Sequence, residues 1–139
     1  MEVQRRLLTD LTLDPKNART HSKKNLDAIA ASLTKFGQRK PIVITTAGLI
    51  LAGNGTLEAA KALGWTHIDV SIAPDDWDAD TAKAYALADN RTAELADWDK
   101  AVLAETLLEL QDADWNIEEL GFDVPEPVIE EEIDDAPSV

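Results

Sequence analysis

The chain has 139 residues, 45% of them apolar, and a formal net charge of −14. It can therefore bury one core of ordinary domain size, and its overall field opposes nucleic acid. The absence of cysteine excludes disulfides, thiolate metal sites and cysteine nucleophiles, and suits a reducing cytoplasm, the expected location. Six glycines and six prolines are too few for a fibrous or disordered class. No apolar run reaches membrane-spanning length, and no signal peptide is expected behind Arg5-Arg6.

In chain order, Gln4–Thr12 carries Leu7, Leu8 and Leu11 and reads as an edge strand, with Asp14-Pro15-Lys16-Asn17 as a turn. Ser22 is the N-cap of a helix over 23–36, where Leu26, Ile29, Ala30, Leu33 and Phe36 recur at helical spacing and Gly37 stops the run. Strands follow at Pro41–Thr45 and Leu49–Ala52, then a helix over 56–63 closed by Gly64, then a strand over His67–Ile72. Asp78 caps a helix over 79–91, with Ala82, Tyr85, Ala86 and Ala93 near one face. Asp99 caps another over 100–113, and Asn116 begins a short helix ending at Gly121. From Val124 the prolines and the acidic run Glu130-Glu131-Glu132 read as a linker or disordered tail.

Charge is unevenly placed. The first forty residues hold nine lysines and arginines against four acids, leaving four basic and 23 acidic residues for the remainder. Direct DNA contact is therefore expected to be weak, salt-dependent and carried by Arg5, Arg6, Lys23, Lys24, Arg39 and Lys40. No membrane partner is expected.

The stretch Ile50-Leu51-Ala52-Gly53-Asn54-Gly55-Thr56 joins a strand to a helix through two glycines. Glycine lets backbone turn tightly and approach a ligand closely, and the helix N-terminus presents free N–H groups to an anion. The spacing matches neither the Walker loop nor the dinucleotide fingerprint, so the turn alone is compatible with phosphate binding or with β-to-α geometry only. Asp89-Asn90-Arg91 offers an acid, an amide and a guanidinium for metal and phosphate, or simply a helix end whose arginine suits the dipole. His21 and His67 have no carboxylate at metal-ligand spacing, so a zinc site is not expected. Trp65, Trp77, Trp98 and Trp115 flank element boundaries and are assigned to packing.

Taken in order, Pro15-Lys16-Asn17-Ala18-Arg19, the segment Leu26–Gly37 leading to Pro41-Ile42-Val43, Ile50–Gly55 before Glu58-Ala59-Ala60, and Asp89-Asn90-Arg91 resemble the N-terminal domain of ParB partition proteins and the wider ParB/sulfiredoxin-like superfamily. The likeness covers roughly residues 5–98 and is greatest to phage and prophage members, through Ala86–Arg91 followed by Trp98-Asp99. It implies an α+β fold, a small mixed sheet of about four strands with packed helices and a helical C-terminal extension. The implied domains are 1–98 (ParB/sulfiredoxin-like), 99–123 (the extension) and 124–139 (the acidic tail).

The resemblance further implies a nucleoside triphosphate, CTP-like or another, bound with Mg2+. Arg19, Gly53, Asn54, Gly55, Thr56, Asn90 and Arg91 would face the phosphates, Asp89 and Asn90 the metal, and Asp89 would be the candidate catalytic group. Thr56 stands where the family's Gly-Glu-Arg-Arg box has arginine, so charge is missing there. Sulfiredoxin's catalytic cysteine has no counterpart, which excludes that activity. The implied role is an accessory domain of DNA metabolism, with a DNA methyltransferase domain or a protein partner following. An NTPase, kinase or nuclease on the same fold and a degenerate protein-interaction module are the rival readings.

Overall fold

The computed structural model describes residues 1–15 and 19–123. The Lys16-Asn17-Ala18 part of the first motif and the tail 124–139 lie outside the described residues. The chain divides into two compact units between Asp97 and Trp98.

In the first unit four strands, β1 (Gln4–Leu7), β2 (Ile42–Ile44), β3 (Ile50–Ala52) and β4 (His67–Ile72), form one mixed sheet in the order β1-β4-β2-β3. β2 runs parallel to β4; the β1–β4 and β2–β3 pairs are antiparallel. This is the expected α+β class. Three helices accompany the sheet: α1 (Lys23–Phe36), α2 (Asn54–Ala62) and α3 (Ala79–Leu95). α1 packs on α2, and α3 packs against β3. The core lies between the sheet and the α1–α2 pair, built from Leu8, Leu33, Ile42, Ile44, Ile50, Leu57, Ile68 and Val70.

β1 is shorter than expected. Leu8 and Leu11 are both buried, and an odd spacing of three puts strand residues on opposite faces. A 3-10 turn over Leu8–Asp10 aligns positions i and i+3 and so buries both. α1 has the expected bounds. The Ser22 hydroxyl accepts the Asn25 N–H at 3.0 Å, and Gly37 closes the helix with a positive φ of 76°. Phe36, the last member of the apolar stripe, is 44% exposed.

α3 continues four residues beyond the expected end. Nothing in Thr92–Leu95 breaks a helix, and the Arg91–Glu94 ion pair (3.1 Å) lies along its surface. Asp78 caps it by accepting the Thr81 N–H at 2.8 Å, which holds the Asp78 carboxyl below the usual carboxylate range. None of its residues is fully buried.

The second unit contains α4 (Lys100–Asp112), capped by Asp99, and a 3-10 turn over Ile117–Leu120 where a short helix was expected. Leu107 and Ile117 are buried, and Trp98 meets Phe122 edge-on at 5.5 Å. No helix among the described residues is long and apolar enough to cross a membrane.

Candidate functional site: a pocket at the start of α2

β3 ends at Ala52, and Gly53 reverses the chain with φ 113°. That conformation disfavours any side chain, and a Cβ at Gly53 would overlap Ile42 Cγ2 and lie 2.7 Å from Ile42 Cβ. The helix begins sooner than the sequence indicated: Gly53 is the N-cap, and Asn54 and Gly55 are already helical. The first intrahelical bond runs from the Leu57 N–H to the Gly53 carbonyl at 3.0 Å. The N–H groups of Asn54, Gly55 and Thr56 thus have no partner within the helix, and Gly53 has no side chain to cap them.

Gly55 serves a different purpose from Gly53. Its φ is not left-handed; instead, a Cβ there would lie 2.7 Å from Cε1 and 2.9 Å from Nδ1 of His21. The imidazole of a loop residue therefore rests directly on the start of α2. Asn54 between the glycines is 8% exposed, and its Oδ1 has no hydrogen-bond partner. A buried polar atom without a partner is expensive, and a site that receives a ligand is one physical reason to keep it.

These groups line a pocket of about 160 Å³. The loop before α1 contributes Arg19 and His21, the α2 start contributes Gly53, Asn54, Gly55 and Thr56, and α3 contributes Asp89 and Asn90. Asn54 and Asn90 also border a larger, mainly apolar hollow of about 660 Å³ walled by Leu49, Ile50, Trp77, Ala82 and Ala86. Trp77 and Tyr85 rings lie 5.4 Å apart beside it. The Tyr85 hydroxyl is pushed above its ordinary pKa, first by burial and then by the negative charge of Asp89. Asp89 and Asn90 supply hard oxygen donors, and one carboxylate completed by phosphate oxygens suits magnesium.

Arg91 is not among the pocket's lining residues; its guanidinium pairs with Glu94 on the outer surface of α3. His21, set aside in the sequence as a metal ligand, lines the pocket. Its only sequence cue was position, two residues after Arg19 and next to the Ser22 cap. Its contact with Gly55 depends on tertiary packing.

The basic residues assigned to DNA divide into two groups. Lys23 and Lys24 open α1, and Lys23 pairs with Asp27 at 2.8 Å, which raises its pKa. Arg39 and Lys40 lie beyond the other end of the helix, roughly 20 Å away at 1.5 Å per residue. Gln38 fixes that second place through two hydrogen bonds of 2.9 Å to the backbone of Asp69. Arg5, 3.6 Å from Asp69, shares a shallow hollow with Arg39. Another hollow joins Arg39 and Lys40 to Thr56. Arg6 donates to the Gln4 side chain at 3.0 Å.

The chain is 32% identical over 72 residues to the ParB-like nuclease domain-containing protein YnaK of Escherichia coli (strain K12), a match covering 52% of this chain and 83% of that protein. The chain belongs to the ParB-like domain family. No family model matches it. Among solved structures, it resembles the C-terminally truncated chromosome-partitioning protein ParB from Caulobacter crescentus complexed with CTP-gamma-S. That match has a TM-score of 0.68 and 19% identity, over 89% of this chain and 73% of that one. It resembles a Pnob8-like ParB-N domain with a TM-score of 0.56 and 16% identity, over 81% and 48%. The Caulobacter protein complexed to the centromeric parS site matches with a TM-score of 0.53 and 19% identity, over 87% and 66%. At these identities the structural likeness is one of fold.

Proposed function

We propose that this chain is a nucleotide-binding ParB-like domain serving DNA metabolism, and that the pocket at the start of α2 takes the phosphates of a nucleoside triphosphate. The observation that carries the reading is the buried, unpartnered Asn54 Oδ1 beside three uncapped N–H groups, with Arg19 on the facing loop. Helix N–H groups and a guanidinium are the groups that bind phosphate. The adjoining hollow of about 660 Å³ has the size and apolar lining suited to a nucleoside.

Magnesium, held by Asp89 and Asn90, would neutralise phosphate charge. The CTP analogue on one fold relative and the parS DNA on another favour CTP and DNA as the first ligands to try. The likeness to phage and prophage domains joined to DNA methyltransferases extends the proposal to a role beside a DNA-modifying partner.

Calorimetric titration of CTP, ATP, GTP and UTP with magnesium chloride tests the reading. At least one should bind with a Kd below a millimolar. Gly55→Val should abolish that heat without lowering the melting temperature, because its side chain displaces His21 and fills the approach to the N–H groups. Silence from all four nucleotides at millimolar concentration overturns the proposal.

A further inference from the structure

His21 is held in a way that binding alone does not require. Asn25, in the first turn of α1, has its backbone N–H on the Ser22 hydroxyl, which fixes the residue. Its side-chain Oδ1 is a hydrogen-bond partner of His21 Nδ1. A carbonyl oxygen has no proton to give, so Nδ1–H donates to Asn25 Oδ1, and Nε2 is the nitrogen left to accept a proton. Nε2 has no hydrogen-bond partner among the described residues. The ring is half-buried, borders the pocket, and shares it with the charged groups Arg19 and Asp89. A base whose tautomer is set by an amide, beside a phosphate-sized pocket, has the arrangement of a general base and its orienting group.

We propose that His21 is the general base of a slow nucleoside triphosphatase at this pocket, with Asn25 as its positioning residue; the proposal rests on triphosphate binding as inferred above. A water between His21 Nε2 and the γ-phosphate attacks the γ-phosphorus as its proton passes to Nε2. The new P–O bond forms while the bond from the γ-phosphorus to the β,γ-bridging oxygen breaks. The bridging electron pair stays with the departing nucleoside diphosphate. Inorganic phosphate is the second product, and the imidazolium returns its proton to solvent. The uncapped N–H groups and Arg19 stabilise charge on the transferred group. Thr56 adds no charge there, which keeps turnover slow.

The experiment pairs calorimetric binding with release of inorganic phosphate from CTP, ATP, GTP and UTP in magnesium. Wild type should bind and hydrolyse at least one of them. His21→Ala should retain a Kd within about threefold and lose about 100-fold in kcat, the lower range for removal of a general base. Imidazole added to His21→Ala should restore part of the rate and leave wild type unchanged, which a merely structural histidine would not show. Asn25→Ala should lower kcat by less and leave KM unchanged. Binding without hydrolysis by wild type overturns this proposal and leaves the binding reading standing; absence of both overturns both. Undiminished hydrolysis by His21→Ala, or loss of binding in a folded His21→Ala, removes His21 from the role of base.

Discussion

Around the start of α2, residues far apart in sequence (Arg19, His21, Asn54, Asp89 and Asn90) converge on one pocket. The basic residues crowded into the first forty positions do the opposite, and α1 sets Lys23 and Lys24 apart from Arg39 and Lys40. The pocket is defined by steric exclusion: Ile42 leaves no room at Gly53 and His21 none at Gly55. The basic section is defined only by composition, and its members find separate partners, Lys23 with Asp27 one turn along α1 and Arg5 with Asp69 across the β1–β4 pair. Steric exclusion ties distant segments together, whereas a local excess of charge leaves its members free to face different ways.

The comparison is tested hardest at Gly53. Alanine there meets both a left-handed backbone and the Ile42 side chain, and the combined strain and overpacking should destabilise the fold by roughly 3 kcal/mol. Thermal melting should show a drop of more than about 10 °C. Gly55→Ala should behave differently. Its backbone is already helical, where alanine gains about 0.5–1 kcal/mol over glycine, and the atoms it meets belong to the His21 side chain, held by one hydrogen bond. Its melting temperature should stay near wild type while nucleotide binding weakens. Equal melting of the two variants would mean that both glycines serve the turn alone.

A smaller effect is expected at Thr56, which lies between the pocket and the hollow lined by Arg39 and Lys40. Thr56→Arg adds a guanidinium on the first turn of α2 and should tighten triphosphate binding about tenfold by calorimetry. Unchanged or weaker binding would indicate that Lys40, across that hollow, already supplies the charge.

Much of this was legible in the residues, for identifiable reasons. α1 and β4 kept their expected bounds because Ser22 and Gly37 punctuate the helix and β-branched residues alternate in the strand. β1 was read too long because Leu8 and Leu11 looked like strand residues until the 3-10 turn placed both inward. α3 was read too short because Arg91 resembled a helix end. The ordered motifs brought Arg19, Gly53–Thr56, Asp89 and Asn90 into consideration together, and those residues line one pocket. His21 escaped because its partner is the missing side chain of Gly55, and a sequence does not show which distant residue needs that space.

The smallest effects belong to the basic section, and here the structure changes which residues should matter. Lys23 is 2.8 Å from Asp27, both well exposed, so part of its charge is already answered locally. Arg39 and Lys40 follow a glutamine clamped to β4, and that anchoring lowers the entropy lost when they meet a phosphate backbone. Fluorescence anisotropy with a short DNA duplex at low salt should show weak binding that disappears as salt rises. Every phosphate that a substitution leaves without its cation should lower the slope of log K against log salt by about 0.9. Arg39→Ala with Lys40→Ala should therefore reduce the slope by about 1.8, and Lys23→Ala with Lys24→Ala by less, because Asp27 already answers part of the Lys23 charge. Equal reductions would show that the ends of α1 contribute alike and that Asp27 screens nothing. A slope unchanged in both double variants would remove the basic section from DNA contact altogether.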